Sequence, residues 1–400
     1  MSQPNNKNQQ NSKVPLEERF TQTAYDALDT RHHGAIHVPI YQNSLFAFET
    51  YEAFEHAFKD LMHNHIYSRG NNPTVSYLEQ KLAELEGAEE AKCFASGMGA
   101  ISASILSCVG QGDHTVCVDQ AYGPTKELLS LYMSRFGVET TFVDGRFIDN
   151  IREAARPNTK LIYLESPTTM YFELQDLQAC AAYARSIGAR TIIDGTWATP
   201  LYQNPLALGV DLVVHSITKY IGGHSDCVGG VVLGSRELVG RIGNQEYMLL
   251  GAIMTPQTAA LVSKGLRTLP LRMERHESSG LAVAEHVRTL PFVRRVNHPG
   301  LPSHPQHDLA VSQMSGSSSL FSFVADAPLQ TMKAWADELK YFKIGVSWGG
   351  FESLVTVNPV SEHSEDGCIV RLYVGLESPQ DLIADINRAA AALSLNVVST

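Results

Sequence analysis

The sequence contains no long apolar run and no excess of positive charge. No stretch approaches the length of a membrane-spanning helix, and the polar residues 1–14 lack the apolar segment of a signal peptide. The formal net charge is −11, whereas a surface for nucleic acid or an anionic membrane would need a basic patch. We therefore expect a cytoplasmic protein that contacts neither nucleic acid nor membrane.

Cysteine is also scarce, and its positions favour neither a disulfide framework nor a metal site. Scattered cysteines in an enzyme-sized chain are usually buried small side chains. His215 and His224 flank Lys219 without a third ligand at a suitable spacing, and catalytic zinc needs three protein ligands. No metal is therefore expected. The six cysteines, which show no paired spacing, are Cys93, Cys108, Cys117, Cys180, Cys227 and Cys368.

The length of 400 residues exceeds what one hydrophobic core supports, so we expect two domains preceded by an arm. Residues 1–14 are rich in Asn, Gln and Ser and should form a disordered tail. The arm carries enough apolar surface to need a partner subunit that covers it. The predicted boundaries are the tail at 1–14, an arm and helix contacting a neighbouring subunit at 15–65, a large domain at 66–265 and a small C-terminal domain at 266–400.

Helical and strand patterns alternate from about residue 75 to 265, which predicts an α/β fold with a large, mainly parallel sheet. In this part we predict helices at 77–86, 97–109, 124–136 and 176–187, and strands at 93–95, 114–118, 160–164, 190–193 and 212–214. The arm is expected to be extended and to lead into a helix at 51–58. The C-terminal part is expected to contain a long helix at 265–288, a loop at 296–313, strands at 320–324 and 370–374, and helices at 329–339 and 379–393.

Lys219 lies between a short β-branched strand and the glycine pair Gly222-Gly223. This pattern places the lysine on a loop at the carboxyl end of a strand, the edge at which open α/β sheets bind ligands. A lysine held there among hydroxyl groups has the chemistry of a Schiff-base former. The alternative is an exposed lysine in a turn, which is the more common location of this residue type.

Two further stretches match the needs of pyridoxal phosphate (PLP). Asp194 ends a predicted buried strand, and a carboxylate there can keep the pyridine nitrogen protonated so that the ring acts as an electron sink. Ser96, Gly97 and Met98 stand at the start of an apolar helix, whose backbone N–H groups and positive end can hold a phosphate. The sequence therefore predicts PLP as the cofactor.

Seven short motifs occur together in one order. They are Tyr67-Ser-Arg69-Gly-Asn-Asn-Pro-Thr, Ala95-Ser-Gly-Met, Tyr122-Gly, Asp194-Gly-Thr-Trp-Ala-Thr-Pro, Ser216-Ile-Thr-Lys219-Tyr, Ser347-Trp-Gly-Gly-Phe-Glu-Ser-Leu and Ile369-Val-Arg371-Leu-Tyr-Val-Gly-Leu-Glu. With them the chain resembles the Cys/Met-metabolism, or trans-sulfuration, family of PLP-dependent enzymes from about residue 40 to 393. The motifs are most similar to those of cystathionine β-lyase. The resemblance implies a fold type I, aspartate-aminotransferase-like PLP-dependent transferase fold, with PLP in the large domain.

The resemblance also implies roles for single residues. Lys219 would bond to PLP and remove the α-proton, while Tyr122 would stack on the ring and relay a proton. The carboxylate of an amino-acid substrate would meet Arg371 and Ser347. The other implied cofactor contacts are Asp194, Ser96, Gly97, Met98, Ser216 and Thr218, and the other implied substrate contacts are Trp348 and Thr169.

The family arrangement further implies an active site shared between two subunits. Tyr67 and Arg69 would reach the phosphate of the neighbouring subunit's cofactor, where a guanidinium group suits phosphate oxygens. The homo-oligomer is then at least a dimer, and the resemblance implies a tetramer built as a dimer of dimers.

The leading hypothesis for the reaction is β-elimination from L-cystathionine or a related thioether, giving pyruvate, ammonia and a thiol. By the resemblance, Trp348 and the absence of an asparagine near Thr169 favour this β-lyase reaction. Val346 stands where β-lyases tend to have a tyrosine and several γ-acting enzymes a glutamate, and Gly195 replaces the usual asparagine after the aspartate. A γ-acting lyase on cystathionine, methionine or a substrate such as canavanine, giving 2-oxobutyrate or homoserine, stays open. So do a γ-replacement of the cystathionine γ-synthase type, an aminotransferase and a non-catalytic sensor with this fold.

Overall fold

Two β-sheets carry the architecture of the described chain. The computed structural model describes residues 16–26, 30–360 and 367–395, so the predicted disordered tail at 1–14 lies outside them. The helices are Leu16–Ala24 (α1), Tyr51–Ala57 (α2), Pro73–Glu86 (α3), Gly97–Cys108 (α4), Gly123–Glu127 (α5), Ile148–Ala154 (α6), Leu177–Ser186 (α7), Thr199–Tyr202 (α8), Arg236–Ile242 (α9), Met248–Leu250 (α10), Pro256–Arg267 (α11), Leu269–Arg288 (α12), His307–Gln313 (α13), Leu329–Glu338 (α14) and Pro379–Ala392 (α15). The strands are Glu90–Phe94 (β1), His114–Val118 (β2), Glu139–Val143 (β3), Thr159–Glu165 (β4), Arg190–Asp194 (β5), Leu212–Ser216 (β6), Gly230–Gly234 (β7), Val293–Asn297 (β8), Leu320–Ala325 (β9), Lys343–Ile344 (β10), Leu354–Pro359 (β11) and Cys368–Tyr373 (β12).

The larger sheet has seven strands in the order β1-β7-β6-β5-β4-β2-β3. The five strands from β6 to β3 are parallel, and β7 runs antiparallel to both of its neighbours. The predicted large, mainly parallel sheet is confirmed. Two of its strands, β3 and β7, were not predicted. The first carries three threonine and glutamate residues among five and so lacks the apolar pattern of a buried strand. The second has the apolar run Val231-Val232-Leu233 between two glycines, a strand pattern that the sequence analysis did not use.

The smaller sheet has five strands in the order β10-β11-β12-β9-β8. All of its pairings are antiparallel except that between β10 and β11. The loop predicted at 296–313 was wrong, because this segment contains the end of β8 and the helix α13. Its prolines and histidines indicated a loop, but burial of Ala310 and Gln313 against the rest of the protein stabilises one helical segment within it.

Helix α12 connects two hydrophobic cores. Its N-terminal part contributes Leu269 and Met273 to the core around the larger sheet, and its C-terminal part contributes Val283 and Val287 to the core of the smaller sheet. The predicted helix at 265–288 begins later, at Leu269, because α11 ends at Arg267 and a new helix starts after it. The predicted domain boundaries stay predictions, since the chain passes between the cores inside a helix.

Two other predicted elements need correction. The helix predicted at 124–136 is regular only in α5 and continues as a π-helical turn at Leu128–Tyr132 and a 3₁₀ turn at Met133–Phe136. The arm predicted as extended begins with the helix α1, whose Arg19 side chain donates to the carbonyl of Pro200. In the described part of the chain, no helix is both long enough and apolar enough to cross a membrane.

Candidate active site

Three neighbouring strands of the larger sheet end in polar residues at one edge. β4 ends at Glu165, β5 at Asp194 and β6 at Ser216. Because these strands are parallel, their carboxyl ends meet, and this edge is where such sheets bind ligands. A cavity of about 240 Å³ lies there. Ten of the predicted site residues line it, namely Ser96, Gly97, Met98, Tyr122, Thr169, Asp194, Ser216, Thr218, Lys219 and Trp348.

Lys219 follows β6 and directs its amine into a polar and aromatic environment. Its Nζ donates a hydrogen bond of 2.6 Å to Ser347 Oγ and lies 4.2 Å from the centroid of the Trp348 ring. Burial lowers the pKa of the Lys219 amine to about 8, and Arg371 acts in the same direction while Asp194 opposes it. An amine with this pKa is partly neutral near pH 7, so it can act as a nucleophile or accept a proton.

The carboxylate of Asp194 is held in place by its neighbour Thr196. The backbone N–H of Thr196 donates to Asp194 Oδ1 at 3.0 Å, and the Thr196 hydroxyl donates to the same oxygen. That hydroxyl also accepts a 2.8 Å hydrogen bond from the Ser216 N–H, which connects β5 to β6. Burial raises the pKa of the Asp194 carboxyl, and the hydrogen bonds from Thr196 oppose the shift. A cationic group in the cavity would favour the charged form.

The N-terminus of α4 borders the cavity with small residues. The Ser96 hydroxyl caps the helix by accepting a 3.0 Å hydrogen bond from the Gly99 N–H. A Cβ added to Gly97 would come within 2.9 Å of Ser216 Oγ, so only glycine permits this approach of helix to strand. The Thr218 hydroxyl accepts from the Gly229 N–H at 3.1 Å, which anchors the loop opposite. Together these features present backbone N–H groups and hydroxyls suited to an anion.

Arg371 and Ser347 stand beside the cavity and contact residues that line it. The guanidinium carbon of Arg371 lies 5.4 Å from the centroid of the Trp348 ring, so this ring has cationic groups from both Arg371 and Lys219 near it. Burial lowers the pKa of Arg371, and a guanidinium group nevertheless stays charged near neutral pH. The Trp348 ring is thus near two cationic groups, which still repel each other, since Arg371 contributes to the lowered pKa of Lys219.

Tyr67 and Arg69 do not line the cavity of their own chain. The Tyr67 side chain is 51% exposed, and the guanidinium carbon of Arg69 lies 5.9 Å from its ring centroid. The structure therefore does not bring this pair together with Lys219, which leaves their predicted contact with a neighbouring subunit's cofactor a prediction.

Several lining residues were missed by the sequence analysis, and Glu165 is the most notable of them. It directly follows the predicted strand at 160–164 and ends the observed β4, so the same signal that identified Asp194, an acid at a strand end, could have identified it. Thr196 and Trp197 lie within the Asp194 motif but had no assigned role, and the Trp197 Nε1–H donates to the Leu320 carbonyl at 2.9 Å. That hydrogen bond connects the loop after β5 to the start of β9, and both residues line the cavity.

Comparison with known proteins decides the family. The family described as Cys/Met metabolism PLP-dependent enzyme matches residues 21–391. The chain belongs to this family. It is 39% identical over 376 residues to L-methionine gamma-lyase of Porphyromonas gingivalis, covering 90% of this chain and 94% of the relative. It is 37% identical over 369 residues to cystathionine beta-lyase of Lactococcus lactis subsp. cremoris, covering 89% of this chain and 94% of the relative.

A solved structure agrees with this assignment. The crystal structure of metB from Corynebacterium glutamicum matches with a TM-score of 0.87 and 33% identity, covering 96% of this chain and 100% of that one. The predicted fold type I architecture, the PLP cofactor and the class of PLP-dependent lyase are confirmed.

The residues around the cavity fit PLP. The α4 N-terminus offers an anion site for a phosphate, Asp194 offers a buried carboxylate for a ring nitrogen, and Lys219 offers an amine for an aldehyde. When bound, PLP supplies an electron sink for the negative charge that develops at the α-carbon of an amino acid. In the described residues, no group of three or more His, Cys, Asp or Glu side chains is arranged to hold a metal ion.

Proposed function

We propose that the protein is a carbon–sulfur β-lyase that cleaves L-cystathionine or a related thioether to pyruvate, ammonia and a thiol. The observation that carries the proposal is the position of the Lys219 amine. It lies in the cavity between Ser347 and Trp348, and burial holds its pKa at about 8. A β-elimination needs one proton removed from the α-carbon, and a single amine with this pKa is suited to that task.

Tyr122 supports the assignment as the matching acid. It borders the same cavity, and burial raises the pKa of its hydroxyl, as do the nearby Asp194 and Glu165 carboxyls. The phenol therefore keeps its proton near neutral pH and can donate it to a departing thiolate. γ-Elimination requires a second proton to be removed at Cβ, which the same Lys219 amine can also accept, so the products and not these two residues separate the two reactions.

The substrate's own charge would be matched by Arg371. A guanidinium group binds a carboxylate through two parallel hydrogen bonds, and Arg371 lies next to Trp348 at the side of the cavity where Ser347 also stands. In this proposal Arg371 and Ser347 orient the α-carboxylate, the Tyr122 ring would stack on the bound cofactor, and the Asp194 carboxylate would keep its ring nitrogen protonated.

A γ-acting lyase is the second candidate function. The relative from Porphyromonas gingivalis that is 39% identical is named L-methionine gamma-lyase. Val346, which precedes Ser347, is 83% exposed and brings no charge that would select among leaving groups. The two candidates share the residues proposed for the α-carbon chemistry and differ only in the fate of the side chain.

The products separate the candidates. The purified holoenzyme would be incubated with L-cystathionine, an S-alkylcysteine, L-methionine and L-canavanine, and pyruvate, 2-oxobutyrate and homoserine would be measured by mass spectrometry. Pyruvate from the first two substrates is the expected result, and Lys219→Ala, prepared in the same way, serves as the blank. Absence of pyruvate from both would reject the β-lyase, and 2-oxobutyrate or homoserine in its place would support the γ-lyase.

The proposed active site is completed by a second copy of the chain. Tyr67 and Arg69 stand outside the cavity of their own subunit, and the arm before them exposes Ile36 by 91% and Leu45 by 60%. Exposed apolar side chains that lie together on one segment, as these do, are normally covered by a partner. We infer a homodimer as the smallest active unit, with a dimer of dimers as the expected assembly.

A further inference from the structure

Glu165 places a second carboxyl group beside Asp194 in the cavity. It is the last residue of β4 and pairs with Asp194, the last residue of β5, in the register of these parallel strands. Side chains at paired positions of neighbouring parallel strands point to the same face of the sheet. The Glu165 residue is only 6% exposed and lines the same cavity. A buried carboxyl group in this position needs hydrogen-bond partners.

Those partners belong to the two loops that border the cavity. Glu165 Oε2 accepts a 2.7 Å hydrogen bond from the backbone N–H of Tyr122, which follows β2 at the start of α5. The backbone N–H of Thr169, in the loop after β4, donates to the same carboxyl group. Glu165 is itself fixed, since its own N–H donates to Gln175 Oε1 at 3.2 Å. One carboxyl group therefore connects a rigid strand end to two loops, each of which carries a side chain that lines the cavity.

We propose that Glu165 is a positioning residue of the active site, whose carboxyl group holds the backbone of Tyr122 and Thr169 and thereby sets where both side chains stand in the cavity. The inference rests on the proposed function for the location of the site, and it does not depend on which substrate is cleaved. The Tyr122 side chain makes no capping hydrogen bond at the start of α5. The hydrogen bond from its backbone N–H to Glu165 therefore attaches this residue to the larger sheet.

The charge state of Glu165 makes the hypothesis measurable. Burial and the neighbouring Asp194 raise the pKa of the Glu165 carboxyl well above its usual value of 4.5, and the two backbone N–H groups oppose the shift. Two adjacent buried carboxyls do not both ionise easily, so the charge of Asp194 favours the protonated form of Glu165. The titratable and charged groups facing it are Asp194 on β5, Arg371 on β12, Tyr163 on β4, Cys117 on β2 and Tyr122 in the loop after β2.

The pH dependence follows from this pKa. Between the usual pKa of 4.5 and the raised value, the folded protein keeps the Glu165 proton and the unfolded chain releases it. The stability that this group contributes is therefore fully present below the unfolded pKa and is lost as pH rises towards the folded pKa. Glu165→Gln removes the titration while it keeps a neutral group and an oxygen that can accept the Tyr122 N–H.

The test compares Glu165→Ala and Glu165→Gln with the matched variant Asp211→Asn. Asp211 is also a carboxylate that accepts a backbone N–H, that of Thr191 at 2.8 Å, but at the opposite end of β5. The first measurement titrates each cofactor-free protein with PLP and follows tryptophan fluorescence. We expect Glu165→Ala to bind PLP about tenfold more weakly, Glu165→Gln to bind it within about threefold of wild type, and Asp211→Asn to match wild type.

The second measurement uses whichever substrate in the panel the wild-type enzyme cleaves. Misplacing a catalytic group by about 1 Å costs on the order of 10²-fold in rate, so Glu165→Ala should lower kcat by about 10- to 100-fold with a smaller change in KM. Glu165→Gln should restore most of that loss. In the cofactor-free protein, raising the pH from about 5 to about 8 should lower the melting temperature of wild type more than that of Glu165→Gln.

The outcomes keep this inference separate from the proposed function. If Glu165→Ala binds PLP as tightly as Asp211→Asn and keeps the same kcat, Glu165 has only a structural role and the inference is overturned. If no substrate in the panel is cleaved by wild type, the proposed function fails, while the PLP titration still decides the role of Glu165.

Discussion

Lys219 owes its reactivity to its neighbours. Of the residues described around it, Ser347 accepts its hydrogen bond and the Trp348 ring lies 4.2 Å from its Nζ. The Ser347 hydroxyl and the Trp348 ring carry no net negative charge, so they stabilise the ammonium form of Lys219 less than a carboxylate in direct contact would. With burial as the largest cause, the pKa falls to about 8, so the neutral amine is accessible under mild conditions.

The pKa of Lys219 predicts how the cofactor-free protein reacts with PLP. Only the neutral amine attacks an aldehyde, so the rate of covalent attachment should rise with pH and level off above about 8. Stopped-flow absorbance gives this rate, and borohydride reduction followed by peptide mapping should find the label at Lys219. Lys219→Ala is the control and should show no labelled peptide at that position. A rate that does not change with pH across this range would contradict the assignment.

Arg371 allows a second test on a single residue. Its loss should raise KM for an amino-acid substrate by about 10- to 100-fold, because hydrogen bonds to charged groups contribute about 1.5 to 3 kcal/mol each. Arg371→Lys should recover only part of this loss, since an ammonium group cannot make two parallel bonds to a carboxylate. Arg388→Ala removes an arginine far from the cavity that pairs with Asp385, and it should leave KM unchanged. Equal KM values for all four proteins would exclude Arg371 as the carboxylate ligand.

At the scale of elements, the loop between β10 and β11 brings the predicted substrate residues to the lysine. Ser347 adopts φ 101°, a conformation rare for residues other than glycine, and Gly349 adopts φ 89°. The Tyr373 hydroxyl on β12 donates to the Gly350 carbonyl at 2.6 Å, which fixes the loop against the smaller sheet. The loop therefore stores backbone strain that the packing around it maintains.

Gly349 provides the test of that loop. A Cβ at this position would lie 2.4 Å from the Lys219 carbonyl carbon, so Gly349→Ala must displace either the loop or the lysine. We expect a loss of about 2 kcal/mol or more in the free energy of unfolding together with a large drop in kcat. Gly240→Ala in α9 is the matched control, because a Cβ there meets nothing within 4 Å, and it should stabilise the protein slightly. Similar effects of both changes on kcat would refute the role given to the loop.

Helices and strands could be predicted from sequence where the pattern of a short segment is enough to determine its secondary structure. The strands at 114–118 and 190–193 are short, rich in β-branched residues and bounded by turn residues, and they appear as β2 and β5. The strand β7 was missed although it has the apolar run Val231-Val232-Leu233, and only the sheet shows its antiparallel pairing with β1 and β6. α3 starts at Pro73, earlier than predicted, because Asn72 caps it by accepting the Thr74 N–H at 3.0 Å.

At the scale of the whole molecule, the proposed sharing of the active site predicts that two inactive variants can restore each other. Lys219→Ala removes the amine of one subunit, and Arg69→Ala removes the group proposed to cross from its neighbour. In a random mixture of dimers, about half are hybrids with one intact site, so about a quarter of wild-type activity should return. Purification through two different tags isolates the hybrid for assay. A hybrid no more active than either parent, or an active monomer in sedimentation, would refute the shared site.

The sequence by itself determined the chemical class of this protein. The lysine, the aspartate and the helix start lie at strand ends within short motifs, so local order along the chain was enough to predict PLP, the α/β fold and the family. Tertiary structure decided what stands around them. Lys219 and Ser347 are 128 residues apart, and Glu165 reaches Tyr122 across 43 residues. Such contacts depend on how strands and loops pack in space. A local pattern of residue types does not determine which residues, far apart along the chain, will meet.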